Sequence, residues 1–383
     1  MYTFRGYRRP DGRAGVRNHV VVLPVDGLSN RAARNVSHLI KGTLDLKHPY
    51  GDLQFGRDLE IFFRIMTGMG KNPNVAAAVV IGMEPDWLDR IASGIEETGK
   101  PVARFVIGHA GDLATTEKAA RKAQEFVYQA SEIPTEEMCL ADLVISTKCS
   151  ESDTTNGLAA NPAVGKAVER LLAAGSTVIF GETSELTGAE HMIADRIRYQ
   201  DQKDRFWRIY NDYVGFIANQ RADLLGSQPS RANIQGGLST IEEKAFGNVA
   251  KIGLAFIDGV LESAEPPPGK GLWFMNTSSA AAEVLTLFAA AGSVVSVVPT
   301  GQGNIIGSPL MPVVKLTANP QTARTMAEHI DLDVSGLLTR EISPDQAADL
   351  VMDFVRRVAG GRWTASEVLK HHEFVPVKLF RSA

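Results

Sequence analysis

His19–Val25 reads HVVVLPV and Val75–Gly82 reads VAAAVVIG, and these two stretches decide the fold. Each is a short, unbroken apolar run, the first rich in β-branched residues, without polar alternation. That is the pattern of a strand buried on both faces, as in a parallel sheet covered by helices on each side. Working outward, Ser29–Ile40 follows the first run as a helix, and another helix starts near Pro85, where proline suits a first turn. Val102–Ile107 is a third strand, and Gly111–Ser131 is a long amphipathic helix rich in Ala, Lys and Glu.

The helical pattern ends around Glu132–Thr135, at Pro134, and a second series begins. Leu143–Ser146 and Thr177–Phe180 are strands separated by a helix over Pro162–Ala174. Arg198–Leu225 is polar and helical, and Glu265–Gly269 (EPPPG) interrupts any regular ladder. Strands follow at Gly271–Met275, Val294–Val298 and Val313–Thr317, with helices over Ala280–Ala291 and Pro344–Val358. Alternating strands and helices predict an α/β fold, and 383 residues exceed what one core usually serves. The expectation is two domains with mostly parallel sheets flanked by helices. The N-terminal α/β domain covers 1–137, and the C-terminal α/β domain, 138–383, carries most of the site loops.

Composition narrows the function. Hydrophobic residues make up 44% and charged residues 22%, with a net charge of −4, which argues against a general binder of nucleic-acid phosphates. Two cysteines, Cys139 and Cys149, are too few for a disulfide framework. Neither a signal-peptide pattern nor the roughly 18 uninterrupted apolar residues of a membrane span occurs. A soluble, cytoplasmic enzyme with no nucleic-acid or membrane partner is expected.

Ligands of open α/β sheets bind beyond the carboxyl ends of strands, and four polar loops fall there. Ser146–Gly157 (STKCSESDTTNG) places Lys148, Cys149, Glu151, Ser152 and Asp153 after a buried strand. It reads as a site for a metal and an anionic substrate, with Lys148 lowering the Cys149 pKa, or else as the cap of the helix after Pro162. Gly181–His191 (GETSELTGAEH) brings Glu182, Glu185, Glu190 and His191 together. These donors suit Fe(II), Mn or Mg; the alternative is acidic support of a helix N-terminus. In Gln228–Leu238, Arg231, Asn233 and a Gly-Gly pair are candidates to contact an acidic substrate, and Ser239–Glu242 fits a capping box. Pro299–Gly307 offers Thr300, Gly301 and Gly303 as an amide cradle for anions, but lacks the spacing of a dinucleotide loop. His38, His371 and His372 read as packing or surface residues. No H-E-x-x-H, C-x-x-C or G-x-S-x-G pattern occurs.

Several motifs in order resemble the altronate/galactarate dehydratase family over nearly the whole chain. They are Phe4–Asn18 (FRGYRRPDGRAGVRN), Lys148–Asp153, Ala160–Pro162, Glu182–Glu190, Thr300–Gly303 and Lys315–Asn319. Within it, His48–Gly56, Gly181–Glu185, Ile330–Gly336 and Lys378–Ala383 resemble a sulfo-lyase branch. The resemblance implies β-elimination from a small 2-hydroxy acid. In this branch sulfite leaves (2R)-3-sulfolactate to give pyruvate; in the sugar-acid branch water leaves, and that is the alternative. It also implies a divalent metal, with Fe(II) first and Mn or Mg as substitutes. The family leads one to expect cysteines where this chain has Asp52 and Met83, so a three-thiolate centre cannot be built and Cys149 stands alone. The resemblance also brings in a small domain that many family members carry before the Gly-Tyr-Arg segment, kept as a separate small subunit in the sulfo-lyase branch. The resemblance therefore implies a large catalytic subunit, with a separate small subunit docked near residues 1–20, in an oligomer.

Taken together, Lys148, Glu182, Glu185 and Lys244 are the expected catalytic residues, with Lys148 or Lys244 as base where burial lowers its pKa. Cys149, Asp153, Glu182, Glu185 and His191 are the expected metal ligands. Arg13, Arg17, Ser152, Arg231, Asn233, Thr300, Gly301 and Gly303 are the expected substrate contacts. A non-catalytic subunit that only binds a hydroxy acid is the competing reading, and the two missing cysteines are its best argument.

Overall fold

A computed structural model describes residues 2–222, 224 and 228–383. Its strands are β1 (Thr3–Arg8), β2 (Ala14–Gly15), β3 (His19–Pro24), β4 (Thr43–Asp45), β5 (Val75–Gly82), β6 (Val102–Val106) and β7 (Glu136–Cys139), then β8 (Val144–Thr147), β9 (Thr177–Phe180), β10 (Gly259–Leu261), β11 (Gly271–Met275), β12 (Val295–Pro299), β13 (Val313–Thr317) and β14 (Leu332–Asp333). They form two parallel sheets, in the orders β4-β3-β5-β6 and β10-β11-β9-β8-β12-β13-β14. The fold class is α/β. Every residue of β5 and β9 is buried, as unbroken apolar runs require. The Arg198–Leu225 helix spans Gln200–Asn219, and Leu225 lies outside the described residues.

Two features were not anticipated. Thr3–Arg8 (TFRGYR) is too polar to read as a strand, yet β1 pairs antiparallel with both β2 and β7 in a third, small sheet. The expected division near residue 137 therefore falls within a strand. The second feature is a helix over Gly56–Lys71, which buries Ile61, Phe62, Ile65, Met66 and Met69. It crosses the Ala281–Ala290 helix so closely that a side chain at Gly68 would strike the Ala290 carbonyl. Both helices belong to one apolar core that also takes in Leu23 and Val80 from one sheet and Ile179 and Val298 from the other. The two sheets share that core. No helix among the described residues is long and apolar enough to cross a membrane.

This topology fixes the site. Strand order reverses at β8, with β9 on one side and β12 on the other. All strands of that sheet run parallel, so the loops after β11, β9, β8, β12 and β13 emerge at one edge. That is where a switch point places ligands.

Candidate active site

Adjacent strands deliver adjacent loops. Lys148 and Cys149 follow β8; Glu182 and Glu185 follow β9, the second on a short turn over Thr183–Leu186. Glu182 sits at φ 74°, in the left-handed region that costs a residue with a Cβ about 1–3 kcal/mol. Its amide donates to Thr277 Oγ1 at 2.8 Å and the Thr183 amide donates to the Thr277 carbonyl at 3.0 Å, so the loop after β11 holds the turn. A third element closes over them. The Ile241–Val249 helix and the turn Ala250–Ile252 present Lys244, Asn248 and Lys251, whose spacing of four and three residues puts them on one face.

The result is a closed ionic cluster in which Cys149, Glu182, Glu185, Lys148, Lys244, Asn248 and Lys251 are all buried. Glu182 lies between two ammonium groups, with Lys251 Nζ 2.6 Å from Oε2 and Lys148 Nζ 3.3 Å from Oε1. The Cys149 amide donates to Oε2 at 3.2 Å, whereas Oε1 has no hydrogen bond. Lys251 also donates to Asn248 Oδ1. Lys244 Nζ lies 3.1 Å from Glu185 Oε1 and donates to Asn233 Oδ1 at 3.1 Å and to Gln228 Oε1. Gln228 Nε2 donates to Glu185 Oε1 at 3.1 Å. The Cys149 thiol faces Glu185 Oε2 and Asn248 Oδ1, each at 3.2 Å, and Glu182 Oε2 at 3.7 Å.

The electrostatics follow from this packing. Burial alone would raise the Glu185 pKa, but Lys244, Lys148 and Lys251 outweigh it and hold the carboxyl at about 2. Burial works against the charge on Lys244 and Lys251 too, yet the facing acids keep both above the usual lysine range. Lys244 is therefore an ammonium here and not a base released by burial. Cys149 is also the reverse of the expected activated thiol: burial, then Glu182 and Glu185, push its pKa up. Lys148 points its charge at Glu182 and the Ser279 carbonyl.

A ligand atom each from Cys149, Glu182 and Glu185 falls within 4.8 Å of the others, the only such group among the described residues, and it could hold a metal ion. One sulfur, two carboxylates and a nearby amide oxygen make a mixed donor set that fits a borderline divalent cation. The thiol must lose its proton to serve, and the ammonium groups oppose added positive charge. Asp153 is engaged elsewhere. Its Oδ1 accepts from Thr155 Oγ1 at 2.6 Å and the Asn156 amide at 3.0 Å, and its Oδ2 accepts from Asn319 at 2.9 Å. His191 is exposed and outside the group.

Among the expected substrate contacts, Asn233 and Ser152 border the cluster: Asn233 donates to the Ser152 carbonyl at 2.8 Å. Ser152 and Lys244 line one cavity of about 330 Å³, with Leu158, Leu238 and Phe246. Thr300 accepts from the Gly303 amide at 3.1 Å, and Gly301 comes so close to Asp153 that a Cβ there would collide with it. This loop is therefore beside the β8 loop, as β12 beside β8 requires. The Arg231 side chain is exposed and makes no hydrogen bond or ion pair among the described residues. Arg13 and Arg17 are not brought to the cluster. Arg13 pairs with Asp11 and donates to the Lys71 carbonyl; Arg17 bonds Glu367 and the carbonyls of Val16, Val358 and Arg362. Asp52 and Met83 line a separate cleft with Asp26 and Glu84. Lys251, Asn248 and Gln228 are the cluster members that sequence reasoning did not single out. The Lys244/Asn248/Lys251 spacing was the available signal.

Comparison with known proteins completes the picture. Residues 140–382 match the model of the D-galactarate/altronate dehydratase C-terminal region, and residues 6–131 match that of the second domain of D-galactarate dehydratase/altronate hydrolase. The chain is 55% identical over 383 residues to (2R)-sulfolactate sulfo-lyase subunit beta of Chromohalobacter salexigens, covering 100% of this chain and 98% of that one. It is 27% identical over 394 residues to altronate dehydratase of Bacillus subtilis, covering 99% and 78%. Likeness to the L-threo-forming galactarate dehydratase of Escherichia coli is 27% over 387 residues, covering 94% and 73%.

Proposed function

We propose, for a chain that belongs to the D-galactarate/altronate dehydratase family, that it is the large subunit of a lyase releasing sulfite from (2R)-3-sulfolactate. The observation that carries this reading is 55% identity along the full chain to the subunit beta of a sulfolactate sulfo-lyase, against 27% to the sugar-acid dehydratases. In the reaction the C2–H and C3–S bonds break and a C2=C3 bond forms. Sulfite leaves with the C–S electron pair, and the resulting enol takes a proton at C3 to become pyruvate.

The closed cluster supplies what such a step needs. Charge accumulates on the substrate carboxylate as the C2 proton leaves, and fixed ammonium groups in a site shielded from water stabilise it. Lys244 faces the cavity beside Ser152, so we assign it to hold the substrate's anionic end. Glu185, beside Lys244 and the thiol, is our proton acceptor; its low pKa makes it a weak base until substrate charge draws Lys244 away. Lys148 faces Glu182 Oε1 and Lys251 faces Oε2, which fixes the orientation of that carboxylate in the metal-free protein. A divalent cation held by Cys149, Glu182 and Glu185 would add Lewis-acid stabilisation of that carboxylate charge. Fe(II) and then Mn(II) suit a thiolate with two carboxylates better than Mg(II) does.

The matched segments end at 131 and begin at 140, which supports a division of the chain near residue 137. A relative named as a subunit beta supports a partner subunit. We place its docking near residues 1–20, where a cleft of about 540 Å³ opens beside Phe4 and Arg5 against Arg356, Arg357 and Arg362. The test is a substrate panel. Supplied with the small subunit and Fe(II), the chain should convert (2R)-3-sulfolactate and leave altronate and galactarate unchanged. Turnover of a sugar acid alone would move it to the dehydratase branch.

A further inference from the structure

One of the three ammonium groups of this cluster stands beside the thiol's oxygen partners. Lys251 Nζ lies 2.6 Å from Glu182 Oε2 and donates to Asn248 Oδ1. Those two oxygens are the ones turned to the Cys149 sulfur, at 3.7 and 3.2 Å. A metal joining the sulfur to Glu182 through Oε2, the oxygen turned to the thiol, would need the face that Lys251 holds. The other two lysines do not stand there: Lys148 approaches Glu182 from Oε1, and Lys244 approaches Glu185 from Oε1, the oxygen turned away from the sulfur. Lys251 is also among the most buried charged side chains in the protein, with about 1% of its surface exposed. Two like charges at metal–ligand distances repel strongly in a poorly screened interior, so ammonium and metal cannot share the position.

We infer that Lys251 is the resident cation of the cluster, and that a divalent metal binds only when its ammonium withdraws from Glu182 and Asn248. Lys251 is then a positioning residue that sets how tightly metal is held. In the metal-free protein it keeps Glu182 and Asn248 pointed at the thiol. This inference extends the metal reading above and does not depend on the identity of the substrate.

The experiment uses Mn(II) as probe at one fixed pH, titrated calorimetrically into the chain and into Lys251→Met and Lys251→Arg. The neutral variant should bind Mn(II) about tenfold more tightly or better, the scale expected on removing one nearby like charge, and the arginine variant should bind no tighter than the parent. Should Lys251→Met not fold, the parent protein decides: crystals soaked in Mn(II) should show an anomalous peak beside Cys149 with Lys251 displaced from Glu182. Equal or weaker binding by Lys251→Met, no binding by either protein, or a metal peak with Lys251 still on Glu182 would overturn the inference. A parent chain that releases no sulfite while Lys251→Met gains Mn(II) affinity would sink the sulfo-lyase reading alone.

Discussion

Glu182→Gln removes one negative charge from the centre of the cluster and leaves its shape almost unchanged. In the parent, Glu182 is fully buried and faces Lys251 Nζ at 2.6 Å, Lys148 Nζ at 3.3 Å and the Cys149 amide at 3.2 Å. After the change two buried ammonium groups lose their carboxylate, and the new amide N–H points at one of them. Breaking a buried pair costs about 3–5 kcal/mol, because the stranded charge keeps its desolvation penalty. Over 383 residues the unfolding entropy makes that about 4–6 °C in Tm, read by scanning calorimetry. Glu182→Gln/Lys251→Met should then be more stable than Glu182→Gln, recovering about 1–2 kcal/mol, since neighbours sharing one network are not additive. A Glu182→Gln protein melting within a degree of the parent, or a double variant lower by the sum of the two losses, would refute this account of the cluster.

Three further outcomes follow from the same geometry. Arg17→Lys should lower stability by about 2–4 kcal/mol while leaving the KM for substrate unchanged, because three ammonium donors cannot replace guanidinium bonds to Glu367, Val358 and Arg362; a KM shift with unchanged Tm would restore a substrate role. Native protein treated with a thiol reagent should modify Cys139 and spare Cys149 until unfolding, since Cys149 is buried with its pKa raised; two fast-reacting thiols would contradict the packing. His19 is held at about 4, by burial and then by Arg17, against an ordinary value near 6.5, so the unfolded chain takes up a proton that the folded one refuses. That stability is intact above pH 6.5 and is lost as pH falls toward 4, by about 1–3 kcal/mol; His19→Gln should flatten the fall in Tm across that window, and parallel curves would remove His19 as its cause.

The longer parallel strands were legible because burial on both faces leaves no room for polar alternation, as in VAAAVVIG at 75–82, whereas the short edge strands β4, β10 and β14 were not. The Gly56–Lys71 helix was harder. Its apolar face at Ile61, Phe62, Ile65, Met66 and Met69 is regular, but glycines at 56, 68 and 70 weaken its helical signal. Gly68 is there for the close crossing with Ala290, which no local pattern reports. β1 was invisible because Thr3–Gly6 pair with residues 130 or more positions away, and its nearby partner β2 is only two residues long.

At the site, Glu182, Glu185, Cys149 and Lys148 could be found because strand-end loops are few and acidic residues beside a thiol are unusual there. The direction of the Cys149 and Glu185 pKa shifts could not be read. Lys148 looked like an activator of Cys149 in sequence; in space its charge goes to Glu182, and two acids face the sulfur. Arg17 looked like an anion clamp because guanidinium offers planar bidentate donors. Its partners Val358, Arg362 and Glu367 lie more than 340 residues on.

The measurement closest to the central claim is the product balance of (2R)-3-sulfolactate incubated with the chain, its small subunit and Fe(II). Sulfite and pyruvate should appear in equal amounts, and a folded Glu185→Gln protein should form neither. Sulfite production unchanged in that variant, or no sulfite from the folded, metal-loaded parent complex, would contradict the account.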